Sequence, residues 1–178
     1  MTQRLVIVSG MYGSGKTTYC SNIEWPVIHI DNVYDYVTGI MHYDRIEKWK
    51  NENSQSDTIV LDAYLFGVDR DLSGLKKTII PIQDITVRTI YTTLDELYEC
   101  MRSTPDRRRR KEIQNYSREE DIRMMKHDQS GLIDIFTEHL AEGRIVSAEY
   151  IFRESGQYTI KDKEHFLSIL GGRYVDEC

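Results

Sequence analysis

Near the start of the chain, a short apolar run passes directly into a glycine-rich turn. The run covers residues 5–8, and the motif G-x-x-x-x-G-K-T that follows is formed by Gly10, Gly15, Lys16 and Thr17. Glycine adopts the backbone dihedrals that curl a loop tightly, and the inward N–H groups of such a loop bind anions. The stretch therefore predicts a buried strand, a phosphate-binding loop and a helix, in that order.

Two side chains of this loop have predicted tasks. We expect Lys16 to reach the outer phosphates of a bound nucleotide, and the Thr17 hydroxyl to bind a magnesium ion that bridges them. The residues predicted to hold the nucleotide are Gly10, Met11, Tyr12, Gly13, Ser14, Gly15, Lys16, Thr17 and Thr18. The alternative is a plain strand-to-helix turn followed by a surface lysine.

Length, charge and cysteine content limit the class of protein. The 178 residues suit one domain, and the net charge of −6 gives no general attraction to nucleic acid or to an anionic membrane. No apolar run is long enough to span a membrane, and no signal-peptide pattern precedes the first strand. Three widely spaced cysteines fit a reducing compartment, so we expect a cytoplasmic protein without membrane contact. The five histidines show no metal-ligand spacing and are interpreted as core or surface residues.

Strand-like and helix-like segments alternate along the chain, which predicts an α/β fold with a five-stranded parallel sheet flanked by helices. The predicted strands cover residues 4–8, 27–30, 58–64, 86–91 and 144–152, with 157–160 pairing back as a hairpin and 78–82 forming an edge strand or a loop. The predicted helices cover residues 16–23, 32–50, 94–103, 117–127, 131–142 and 161–170.

Two of these strands end in a carboxylate. Asp31 follows the second strand and Asp62 lies near the end of the third. Parallel sheets bind ligands in the crevice outside the carboxyl ends of their strands, so both side chains are candidate site residues. Asp62 is predicted to hold magnesium through water, or alternatively to contact an acceptor. For both residues, capping or a satisfied turn is the structural alternative.

A run of five basic residues stands out in this acidic chain, at positions 107–111. Arginine donates in a planar fork that matches phosphate oxygens, so the run is a candidate phosphate clamp. One or two of the four arginines at 107–110 would act in this way, with Arg107 and Arg109 as the candidates, and the sequence does not indicate which. A solvated charge run and a contact with a nucleic-acid backbone are the alternatives.

These motifs resemble the small P-loop nucleoside and nucleotide kinases. Gly13 extends the loop to G-x-x-G-x-G-K-T, and residues 58–64 are similar to strand segments of adenylate kinase-like and thymidylate kinase-like enzymes, with Ala63 in place of their Gly or Arg. The helix–basic–helix arrangement of residues 94–127 and the strand-end Asp31 resemble polynucleotide 5′-kinases. The resemblance covers roughly residues 1–150 and implies a three-layer sandwich with an arginine-rich lid at about 102–117, within a single domain of residues 1–178.

The same resemblance implies a reaction. ATP with Mg²⁺ would be the donor, Asp31 would align or deprotonate the acceptor, and lid arginines would stabilise the transferred phosphoryl group. The expected acceptor is a (deoxy)nucleotide; the alternatives are a hydroxyl of nucleic acid (a polynucleotide 5′-hydroxyl or 5-hydroxymethyluracil in DNA) and a non-kinase ATPase or switch. Tyr34, Tyr64 and Arg70 are the candidate acceptor contacts. The sequence does not indicate an oligomeric state.

Overall fold

The computed structural model describes residues 3–35, 38, 40–63, 84–103 and 116–171. Strands and helices alternate through these ranges. The strands are β1 (Arg4–Ser9), β2 (Val27–His29), β3 (Tyr34–Asp35), β4 (Ile40–Met41), β5 (Thr58–Asp62), β6 (Asp84–Tyr91), β7 (Ser147–Glu154) and β8 (Gln157–Lys161). The helices are α1 (Lys16–Ser21), a 3₁₀ turn (Ile30–Asn32), α2 (Tyr43–Glu52), α3 (Leu94–Ser103), α4 (Arg118–Ala141) and α5 (Lys163–Ile169).

The main sheet has the strand order β2-β5-β1-β6-β7-β8. The first five of these strands are parallel, and β8 joins β7 as an antiparallel hairpin at the edge. The predicted α/β fold with five parallel strands and a terminal hairpin is therefore confirmed. Because β1 lies centrally, its carboxyl end and the loop after it are flanked by β5 on one side and β6 on the other.

Helices cover both faces of the sheet. On one face, Leu5 and Ile7 of β1 pack with Ile46 of α2 and with Leu132 and Phe136 of α4. The other face buries Val6, Val8, Val60, Ile90 and Ile151 against Cys20 of α1. Since successive strand residues point to opposite faces, the near-continuous apolar run of β1 fills both cores at once.

Residues 32–42 were expected to begin a long helix, and that prediction was wrong. The chain instead forms the 3₁₀ turn, the small antiparallel pair of β3 and β4, and only then α2. The apolar spacing that suggested one helix face includes Ile40, whose side chain is 54% exposed, whereas Val33 is fully buried in the sheet core. The burial of Val33 in the core, rather than helical periodicity, therefore determines the conformation of this segment.

The helices expected at residues 117–127 and 131–142 are one continuous helix, α4. Its start matches the predicted capping box: Ser117 accepts from the Glu120 amide, and the Glu120 side chain accepts from the Ser117 amide. Residues 128–130, which the two predicted helices left between them, and Gly131, the predicted start of the second, all lie inside this helix. A helical glycine costs only about 1 kcal/mol relative to alanine, and the buried Leu132, Ile133 and Phe136 beside it outweigh that cost.

Several predictions fall outside the described residues. They concern Tyr64, Arg70, the segment 78–82, and Arg107 and Arg109 with most of the predicted lid. In the parts of the chain that are described, no helix combines the length and apolar character needed to cross a membrane.

Candidate functional site

The loop between β1 and α1 is shaped by three glycines in the left-handed region. Gly10, Gly13 and Gly15 have φ values of 135°, 82° and 96°. A Cβ on Gly10 would lie 2.2 Å from the Ile90 carbonyl oxygen, so only glycine fits beside β6. A Cβ on Gly13 would meet the Cys100 side chain of α3 at 3.2 Å. The motif glycines are therefore required by backbone dihedrals and by close approach of neighbouring elements.

Contacts within the loop close it on itself. The Lys16 ammonium donates to the Met11 carbonyl oxygen at 2.9 Å, and the Ser14 amide donates to the same oxygen at 3.1 Å. Lys16 thus folds over the loop that precedes it. The Met11 side chain is buried against Leu97 and Met125, so its predicted part in nucleotide binding can involve only its backbone.

Asp62 contacts two further side chains at the carboxyl edge of the sheet. Its Oδ2 accepts from the Thr17 hydroxyl at 3.3 Å and lies 2.8 Å from Nδ1 of His29. His29 and Asp62 are register partners on β2 and β5, which explains why their side chains meet. The predicted pair of Thr17 and Asp62 therefore does come together, and His29, interpreted from the sequence as a core or surface residue, joins it.

The other strand-end carboxylate is placed differently from the expectation. Asp31 lies in the 3₁₀ turn two residues beyond the end of β2, with an exposed side chain, and His29 rather than Asp31 occupies the cap position. Tyr34 follows on β3 and is half-buried. Both lie in the segment directly after β2, close in sequence to the His29–Asp62 contact.

The last hairpin supports the opposite side of the loop. The Tyr158 hydroxyl of β8 donates to the Gly15 carbonyl oxygen at 2.9 Å, and Tyr158 is the register partner of Arg153 on β7. Burial raises the pKa of Tyr158, against smaller opposing effects of Arg153 and of a hydrogen bond with Thr18. The phenol therefore keeps its proton at neutral pH and remains a donor to the loop.

The thiol of Cys20 lies in the core beneath the loop. Cys20 of α1 is 2% exposed, and burial together with the Asp62 charge raises its pKa to about 12, against a smaller opposing effect of Lys16. A thiol in this state is neither ionised nor accessible at neutral pH, so Cys20 is a packing residue and not a nucleophile.

Sequence reasoning found the loop, Lys16, Thr17 and Asp62, but missed the residues that surround them. His29, Arg153 and Tyr158 belong to no motif, and the last two are distant in sequence. One signal was present for His29: it ends a strand that neighbours the strand of Asp62.

Among the described residues, no group of three His, Cys, Asp or Glu side chains could hold a metal ion.

Comparison with known proteins gives likeness in fold alone. The chain matches no family model and no curated protein. Solved structures resemble it at low identity, among them a Chloroflexus aurantiacus protein named as a candidate kinase (19% identity, TM-score 0.42), a sugar kinase from Janibacter sp. (17%, 0.40) and a gluconokinase from Sinorhizobium meliloti (16%, 0.33). These matches cover 56%, 57% and 63% of this chain, and 64%, 68% and 74% of the other chains. The match thus spans less than two thirds of the first of these proteins, and similarity this low says nothing about an acceptor.

Proposed function

We propose that the chain is an ATP-dependent phosphotransferase that moves the γ-phosphoryl group to a nucleotide-type acceptor. One observation carries the proposal: a tightly curled glycine loop ending in Lys16 and Thr17 lies beside a strand-end carboxylate, with Thr17 Oγ1 3.3 Å from Asp62 Oδ2. A loop of this kind binds phosphates, and a carboxylate beside it suits a metal-assisted transfer.

The donor would be bound by the loop itself. The backbone N–H groups of residues 11–17 are proposed to hold the phosphate chain, and the Lys16 ammonium, now on the Met11 carbonyl oxygen at 2.9 Å, would move to the outer phosphates. A fixed cation next to the β- and γ-phosphates stabilises the charge that spreads over the transferred group.

Thr17 and Asp62 are the residues that would hold Mg²⁺. A hydroxyl and a carboxylate are the hard oxygen ligands that this ion prefers, and their 3.3 Å contact brings both to one point. The donor set therefore fits the ion. When bound, Mg²⁺ would neutralise charge between the β- and γ-phosphates. His29 would keep the Asp62 carboxylate oriented through its 2.8 Å contact.

On the acceptor side, Asp31 is proposed to align the attacking oxygen. If the acceptor is a hydroxyl, Asp31 takes its proton as the new bond to the γ-phosphorus forms and the bond to the β–γ bridging oxygen breaks, releasing ADP. The exposed position of Asp31 in the turn after β2 is compatible with this task. The net charge of −6 favours a small acceptor over a polyanion. Tyr34, half-buried on β3, and Tyr64 and Arg70 remain the proposed acceptor contacts, and Arg107 and Arg109 the proposed lid clamp.

A transfer assay tests the proposal. ATP labelled at the γ-phosphate is offered with Mg²⁺ and, separately, with deoxynucleoside monophosphates, 5′-hydroxyl oligonucleotides and DNA containing 5-hydroxymethyluracil. Label on a monophosphate supports the proposal as stated. Label on either nucleic acid retains the phosphotransferase and moves the acceptor to a polymer. Release of free phosphate alone would refute the kinase reading in favour of an ATPase.

A further inference from the structure

Arg153 lies near the carboxyl end of β7, beside the phosphate-binding loop. The proposed mechanism gives this cation no role. Its side chain is 14% exposed, and its Nη2 forms an ion pair with Glu96 Oε1 of α3 at 2.9 Å. The same nitrogen donates to Cys100 Sγ at 3.5 Å. Nε of Arg153 is buried and has no hydrogen-bond partner among the described residues. A buried donor without a partner is costly, so the ion pair with Glu96 does not satisfy all the hydrogen-bonding capacity of this guanidinium.

The guanidinium lies against the phosphate-binding loop. An ideal Cβ on Gly15, the residue before Lys16, would lie 2.9 Å from Arg153 Cδ and 3.1 Å from Nη1. The Tyr158 hydroxyl, from the register partner of Arg153, would lie 2.8 Å from the same point. The space that a side chain at position 15 would fill is therefore occupied by the end of Arg153, which touches the loop where its backbone turns into α1.

We propose that Arg153 is a second phosphate-binding cation of the site, which contacts the polyphosphate chain of the donor once the nucleotide is bound. The inference rests on the proposed function and adds to it a residue from outside the motif. A guanidinium presents several donors in one plane, so Arg153 can bond a phosphate oxygen through one edge while remaining near Glu96.

Glu96 has a defined part in this arrangement. Its Oε1 pairs with Arg153 while its Oε2 accepts from Thr92, so the carboxylate is held at both oxygens. It keeps the guanidinium beside the loop before the donor arrives, and it competes with phosphate for the same donors. Neutralising Glu96 should therefore strengthen phosphate binding, whereas removing Arg153 should weaken it.

The chain provides a matched control pair. Arg88 and Glu149 form an ion pair at 2.6 Å, with exposures of 18% and 32%, close to the 14% and 36% of Arg153 and Glu96. Arg88 also donates to the Tyr19 hydroxyl and lies over the Trp25 ring. Its hydrogen bonds among the described residues do not reach the loop itself. Tyr19, one of its partners, packs against Tyr158 at 5.3 Å between ring centroids, so Arg88→Gln removes a similar pair from the same sheet and also controls for an indirect effect through these two rings.

Calorimetric titration with two probes, ATP and inorganic tripolyphosphate, both with Mg²⁺, tests the inference. Arg153→Gln should lower the affinity for both ligands by about 10- to 100-fold, as expected for a lost charge-assisted hydrogen bond. The affinity of Arg153→Lys should lie between those of Arg153→Gln and the parent. Arg88→Gln should change neither affinity by more than about twofold. Because tripolyphosphate has no base or sugar, equal losses for the two probes assign the contact to phosphate.

A second set of variants tests the expected gain in affinity on neutralising Glu96. Glu96→Gln should bind tripolyphosphate several-fold more tightly than the parent, and this gain should vanish when Arg153→Gln is added; a purely structural role of the pair would weaken binding in both variants. Thermal melts show whether each variant is folded, and if Arg153→Gln does not fold, Arg153→Lys and Glu96→Gln decide. If the parent binds the probes and Arg153→Gln binds them with the same affinity as Arg88→Gln, the inference about Arg153 is overturned while the proposed function stands. A parent chain that binds neither probe overturns the proposed function.

Discussion

Asp62 joins three elements through one oxygen atom. Thr17 comes from α1, His29 from β2 and Asp62 itself from β5, and the two partners reach Oδ2 at 3.3 Å and 2.8 Å. The side chain is 8% exposed. A buried carboxylate that accepts two hydrogen bonds is fixed in orientation, which is the property a magnesium-supporting residue needs.

Asp62→Asn should lower phosphoryl transfer by about 10- to 100-fold, because the amide keeps the shape of the side chain but loses the charge that would support the metal. Steady-state rates measured over a range of Mg²⁺ concentrations check this. The control is Asp57→Asn, one residue before the amino end of the same strand, which should leave the rate unchanged. Equal rates in the parent and Asp62→Asn would contradict the role assigned to this carboxylate.

At the level of elements, the glycines of the loop are fixed by backbone geometry. Its motif could be predicted because the spacing reflects local dihedrals and close approaches, as at Gly10 and Gly13. The hairpin of β7 and β8 was also predictable from its turn, but its support of the loop was not. The Tyr158–Gly15 hydrogen bond joins residues 143 positions apart, and no local pattern encodes such a contact.

Alanine at two glycines should have opposite effects on stability. Gly10→Ala places a Cβ 2.2 Å from the Ile90 carbonyl oxygen at φ 135°, so it should lower the free energy of unfolding by at least about 1–3 kcal/mol. Gly131→Ala in α4 meets nothing within 4 Å and should raise that free energy by about 0.5–1 kcal/mol. Urea unfolding of both variants measures the difference; a stabilised Gly10→Ala protein would contradict the loop geometry.

The first turn of α4 should make stability depend on pH. Asp121 is 4% exposed and its Oδ2 has no hydrogen-bond partner among the described residues. Burial raises its pKa, Arg102 opposes this, and Glu120 adds to it. A carboxyl whose pKa is higher in the folded state binds more protons there, so its contribution to stability falls as pH rises from the unfolded value, about 3.9, through the folded one.

Asp121→Asn should remove that fall, and so gain stability relative to the parent as the pH rises from about 4 to 7. Glu120→Gln should do the reverse, because hydrogen bonds from Ser117 lower the pKa of Glu120; its contribution is present at neutral pH and is lost on acidification. Urea unfolding at both pH values compares the three proteins. Parallel pH profiles for the parent and Asp121→Asn would show that the buried carboxyl carries no such cost.

For the molecule as a whole, the parallel sheet explains why a site could be predicted at all. Carboxyl ends of parallel strands meet at one edge, so a loop after β1 and a carboxylate at the end of β5 were expected to be neighbours. The same rule also predicts that His29 lies near Asp62, since β2 pairs with β5. It could not supply Arg153, whose place depends on the packing of α3 and the terminal hairpin against the loop.

The most direct test of the account is the affinity of the folded protein for ATP with Mg²⁺, measured by calorimetry for the parent and for Lys16→Ala. We predict that the parent binds with a dissociation constant below about 1 mM, a range typical of enzymes and their substrates. Lys16→Ala should bind at least about tenfold more weakly, because a charged donor to phosphate contributes about 1.5–3 kcal/mol. No binding by the parent, or equal binding by both proteins, would contradict the assignment of this loop as the donor site.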